Sequence, residues 1–173
     1  ARTDNKAQIY VLRARDGDFS EGWTDWKDAV ELGAYFYDGD GDGIYNPIDK
    51  NGNGKWDTDE DRPDLIGDET VWCVYNDGLD PALRRYNDVP PQGIEIRQTV
   101  FGFSSRGPVG NMIFIRYSIL NTGSKADVLD SVYFSAWADP DLGEATDDLV
   151  GSDTIRNAGY VYNDGNDGEF GVN

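Results

Sequence analysis

Between Asp38 and Glu69 the chain reads DGDGDGIYNPIDKNGNGKWDTDEDRPDLIGDE, and no packed core can be built from such a stretch. It holds 11 of the 33 acidic residues and almost no aliphatic side chains. Its glycines argue against a helix, since each costs about 1 kcal/mol in a helix interior. Order here must come from polar contacts, and carboxylates crowded at this density repel one another unless a cation offsets them.

The spacing names the cation. Calcium takes six to eight hard oxygen ligands, so a loop that wraps it needs acidic or amide groups at alternate positions and a glycine at the sixth, where the backbone turns sharply. Asp38, Asp40 and Asp42 stand at positions 1, 3 and 5, with Gly43 at position 6. The carbonyl of Ile44 falls at position 7, Asn46 at position 9 and Asp49 at position 12. A second loop starts where the first ends. Asp49, Asn51 and Asn53 take positions 1, 3 and 5, and Gly54 takes position 6. Lys55 follows at position 7 through its carbonyl, Asp57 at position 9 and Glu60 at position 12. Asp49 then either bridges two ions or serves one of them. A flexible acidic linker would need no glycine at the sixth position twice.

The loops resemble those of EF-hands, but Pro47 at position 10 opposes the exiting helix an EF-hand requires. Tandem calcium loops without helices look more like thrombospondin type 3 repeats, and imply a static site. The distal acids Asp59, Asp61, Asp64, Asp68 and Glu69 show no second glycine pattern and read as a solvated face. A further cluster, Asp139, Asp141, Asp147, Asp148 and Asp153, lies in WADPDLGEATDDLVGSD and reads as a second calcium constellation at the end of a strand. NDGNDGEFG near the C-terminal end reads as a turn.

The formal charge of −18 argues against nucleic acid and anionic membranes as partners and favours divalent cations. There is no histidine and one cysteine, Cys73, which removes Ser-His and Cys-His nucleophile pairs and zinc cages. No acid stands out as the raised-pKa partner that glycoside hydrolysis needs, so no catalytic residue is expected. No segment approaches the roughly 18 apolar residues of a membrane span. No signal peptide stands at Ala1, so export would use a segment outside this sequence.

Around the loops the pattern is β. Ala7–Arg13, Val71–Tyr75, Ile94–Ser104, Met112–Asn121, Val128–Trp137 and Gly159–Asn163 read as strands, and Thr24 caps one short helix that stops at Gly33. Short Gly-containing reversals join Ile94–Ser104, Met112–Asn121 and Val128–Trp137 into an antiparallel meander. The expected fold class is all-β: one antiparallel β-sandwich domain over 1–173, with residues 38–69 as a calcium-loop insertion.

FYDGDGDGIYNP, GDETVWCVYND, PPQGIEI, FIRYSILNTGS and above all YFSAWADPDLGEATDDLVGSDTIRNAGYVYN resemble a module of large secreted proteins of Bacteroidota and Ignavibacteria type, many of which end in a type IX secretion sorting domain. The resemblance spans nearly the whole chain. It implies an extracellular or cell-surface location and brings no activity with it. The resulting expectation is a calcium-stabilised structural module for adhesion or self-assembly. Terminal strands would complete a neighbour's sheet by strand addition, giving a homo-oligomer or filament. The alternative is a carbohydrate-binding module that presents Trp23, Trp26, Trp72 and Trp137 to glycans.

Overall fold

The computed structural model describes residues 5–85, 87–143 and 145–165. They fall into two compact units, Ala1–Asp130 and Ser131–Asn173.

The first unit is built on a four-stranded antiparallel sheet. Its strands are β1 (Tyr10–Arg13), β4 (Glu69–Asn76), β5 (Ile94–Gly102) and β6 (Ile113–Asn121), in the spatial order β1-β4-β5-β6. The short strands β2 (Phe36–Tyr37) and β3 (Arg62–Pro63) form a separate two-residue ladder. Because side chains alternate along a strand, the register sorts them into two faces. Tyr10, Trp72, Thr99 and Arg116 are cross-strand neighbours on one face, as are Leu12, Thr70, Phe101 and Phe114. Val71, Val100 and Ile115 mark the other face.

Helix α1 (Glu21–Glu31) covers the Tyr10 face. It buries Trp23, Trp26 and Ala29, spaced three apart and so aligned along one side. Trp26 meets Tyr10 edge-on at 6.5 Å and Trp72 at 6.2 Å between ring centroids. Its indole N–H donates to the Tyr35 carbonyl at 3.0 Å. The helix starts before the expected Thr24, after Ser20 in extended backbone, because Trp23 belongs to the same buried stripe. It ends where Gly33 takes a φ of 99°.

Three of the four tryptophans read as glycan-stacking candidates are therefore core: Trp23 and Trp72 are 2% exposed and Trp26 1%. A ring buried on both faces offers no platform to a sugar.

Val128–Trp137 forms no strand. Its alternation is real, but Tyr133 and Trp137 are 91% and 83% exposed, and the segment has no ladder partner among the described residues. A strand needs a neighbour for its backbone groups. In the second unit the hairpin is instead β7 (Asp148–Asp153) with β8 (Ala158–Asn163), so the acidic run itself supplies a strand. Part of NDGNDGEFG, residues 166–171, lies outside the described residues. Among the described residues the fold is thus β-rich and antiparallel with one α-helix, and no helix there is long and apolar enough to cross a membrane.

Candidate metal centre

The two loops repeat one hydrogen-bond pattern at an offset of eleven residues. In the first, the Asp38 carboxylate accepts the amides of Gly41 and Gly43 at 2.7 and 2.9 Å. In the second, Asp49 accepts those of Gly52 and Gly54, both at 2.7 Å. Position 3 accepts the amide of position 5 in both loops, Asp40 from Asp42 and Asn51 from Asn53. Position 5 accepts that of position 7, Asp42 from Ile44 and Asn53 from Lys55. At the sixth position Gly43 and Gly54 have φ of 77° and 73°, a left-handed backbone that L side chains disfavour. Donation from Gly54 first, then Gly52 and Asn53, holds the Asp49 carboxyl below its ordinary value of 3.8.

Closure differs from the twelve-residue arithmetic. Glu60 and Asp61 are 1% and 2% exposed, and each closes one loop through the same two positions. Glu60 accepts the amides of Lys50 and Asp57, positions 2 and 9 of the second loop, at 2.6 and 3.0 Å. Asp61 accepts those of Gly39 and Asn46, positions 2 and 9 of the first, at 3.0 and 2.7 Å. Asp49 spends both oxygens on the second loop, so Asp61 closes the first. Gly39 permits this approach, because a Cβ there would overlap the Glu60 backbone. Asp61 is therefore not the solvated acid its spacing suggested.

Both loops are anchored by the aromatic at position 8. Tyr45 is 2% exposed, packs edge-on against Phe36 and donates its hydroxyl to the Trp23 carbonyl at 2.8 Å. Burial, then the Asp61 charge, raises its pKa. Trp56 donates to the Glu60 carbonyl at 2.9 Å, meets Tyr37 edge-on at 5.5 Å and lies under the Arg62 guanidinium at 4.6 Å.

The donor sets suit a hard cation to different degrees. One oxygen from each of Asp38, Asp40 and Asp42 falls within 4.8 Å of the others. Two oxygens on one calcium ion stand at most about 5.2 Å apart, twice the longest Ca–O distance, and the trio lies inside that limit. The described counter-charge beside them is the Lys50 ammonium, 3.3 Å from Asp40. Asp61 stands outside this trio; its two oxygens hold the amides of Gly39 and Asn46 and so fix the loop around it. In the second loop the amides of Asn51 and Asn53 donate to Asp57 at 2.7 and 2.9 Å, where the first loop sets a carboxylate trio. Amide donation neutralises part of the need for a cation there.

The second constellation is less convergent. Asp147 and Asp148 each keep one buried carboxylate oxygen without a hydrogen-bond partner, while the other oxygen of Asp148 accepts the Leu142 amide at 3.0 Å. Asp139 and Asp141 lie in an exposed segment without regular structure. Asp153 ends β7, five residues from Asp148 and so about 17 Å away along the strand. Its carboxylate caps the turn at Ile155 and Arg156 and pairs with the Arg156 guanidinium, which holds it below the ordinary carboxylate range.

Comparison with protein families, with curated proteins and with solved structures gives no match to this chain. The loop assignments therefore stand on internal repetition. The members that spacing missed are Asp61, Tyr45 and Trp56. The aromatics were legible as a repeat, GIYN against GKWD, whereas nothing in the spacing ties Asp61 to a loop that begins 23 residues earlier.

Proposed function

We propose that this chain is a calcium-stabilised, non-catalytic structural module of a secreted or surface protein, serving adhesion or self-assembly. The carrying observation is the repeated loop pattern with its two buried closing carboxylates. Asp38, Asp40, Asp42 and the Ile44 carbonyl would hold one ion, in a loop that Asp61 closes; Asp49, Asn51, Asn53, Glu60 and the Lys55 carbonyl would hold a weaker one. Calcium there would neutralise carboxylates that now face one another and fix loops that have no core of their own. Extracellular calcium is millimolar, which fills even weak loop sites.

Calorimetric titration of the chelator-treated protein should show calcium uptake. At a hundredfold excess over Kd each site contributes about 2.7 kcal/mol. For a chain of this size, two such sites raise the melting temperature by roughly 10–20 °C. A melt unchanged by EDTA and by 2 mM calcium would refute the proposal.

A further inference from the structure

The face of the sheet opposite α1 carries a surface of a different kind from the rest of this chain. On β6, Ile113, Ile115, Tyr117 and Ile119 point to it and are 75, 51, 52 and 39% exposed. Val71, Ile96 and Val100 extend the same apolar surface across β4 and β5. Its charged members are Arg13 and Glu69, which sit opposite each other at one end and neutralise each other at 3.1 Å. In a chain of formal charge −18 this face therefore carries no net charge.

We infer that this face is a self-association surface, on which a second copy of the chain packs its own sheet face to face. Three observations select a second copy. First, the dimensions suffice. β5 and β6 are nine residues long, about 30 Å, and four strands span roughly 15–19 Å. Two such faces bury about 1,000 Å², the size at which a specific interface becomes sustainable. Second, charge permits it. The acidic loops attach to the opposite face, where Asp64 pairs with Arg116 and Tyr45 reaches the helix, so an interface here leaves both sets of loops outside. Two chains of −18 repel along most other approaches. Third, the surface is an antiparallel sheet face whose relief is made by β-branched and aromatic side chains, and sheets of this kind pack on their like at about −30° with interdigitating residues.

This inference goes beyond the calcium proposal and does not rest on it. Sedimentation of the whole chain between 1 and 200 µM, once in EDTA and once in calcium, tests the two separately. A reversible dimer is expected in both buffers. Ile115→Lys should weaken it by at least a hundredfold, while Ile48→Lys, at an exposed loop position, leaves it unchanged. Circular dichroism checks that the variants are folded. Should Ile115→Lys fail to fold, Ile113→Lys takes its place, being the most exposed position of the strand. A wild-type monomer across the whole range overturns the inference. So does a dimer that survives both substitutions, since assembly would then run through another surface.

Discussion

Replacing Asp61 by alanine tests whether the first loop is closed by a residue outside its own twelve. The structure supplies the magnitude. Asp61 is 2% exposed and its two oxygens satisfy the amides of Gly39 and Asn46. A buried donor left without an acceptor costs about 1–3 kcal/mol. Gly39 is half-buried and pays most of that, whereas Asn46 is exposed and regains part of its bond from water. The expected loss is therefore about 2–4 kcal/mol, or roughly 5–15 °C in melting temperature for a chain of this length. Asp59→Ala is the control, two residues away and exposed, with an expected change of about 0.5 kcal/mol or less. Thermal melts followed by tryptophan fluorescence report the difference directly, since Tyr45 links this loop to the Trp23 backbone. If calcium sits as proposed, the gap between Asp61→Ala and wild type widens in calcium, because a loop without its strap holds Asp38, Asp40 and Asp42 less well placed for the ion. An Asp61→Ala protein that melts within 2 °C of Asp59→Ala in EDTA refutes the closure argument.

Two further changes probe the second loop. Gly54→Ala places a Cβ in open space but at a φ of 73°, so strain alone should cost about 1–2 kcal/mol in urea denaturation; an equal loss is expected at Gly43→Ala. Asp49 gives a pH signature in calcium-free buffer. Its folded pKa lies below the ordinary 3.8, so its contribution is fully present above that value and is lost as pH falls through the lower folded one. Asp49→Asn should therefore flatten part of the stability decline as pH falls below 3.8, and parallel wild-type and variant curves would exclude that role.

How far the fold was legible follows from where each signal is stored. Ile94–Gly102 and Ile113–Asn121 could be read because β-branched residues alternate there and the reversal between them is short. Val128–Trp137 carries an equally clean alternation yet forms no strand among the described residues, because period measures which face is apolar and says nothing about whether a partner edge is present. The helix cap falls four residues before the expected one, at Ser20 and not Thr24, because Trp23, just before Thr24, already belongs to the buried stripe. Within the loops, positions 1, 3, 5 and 6 are local and were visible. Asp61 was not, because its partners Gly39 and Asn46 lie 22 and 15 residues away, and in sequence it is indistinguishable from its exposed neighbour Asp59.

One short segment explains why the loops and the sheet form a single mechanical unit. Glu60 and Asp61 close the second and first loops, and the next two residues, Arg62 and Pro63, pair with Tyr37 and Phe36. Asp64 then binds Arg116 on β6, whose guanidinium also stands over Tyr35 at 5.2 Å. Five consecutive residues thus connect both loops to the small ladder and to the sheet. From the other side, Tyr45 and Trp56 fix each loop at its eighth position, the first through the Trp23 carbonyl and the second through Asp18, which accepts the Trp56 amide at 2.9 Å. A sensor loop transmits ion binding as motion because its closing carboxylate begins a helix that is free to swing. Here the closing carboxylates begin a β-ladder held at both ends. Ion binding at these loops would therefore register as added stability of the whole first unit, with little displacement of α1 or the sheet.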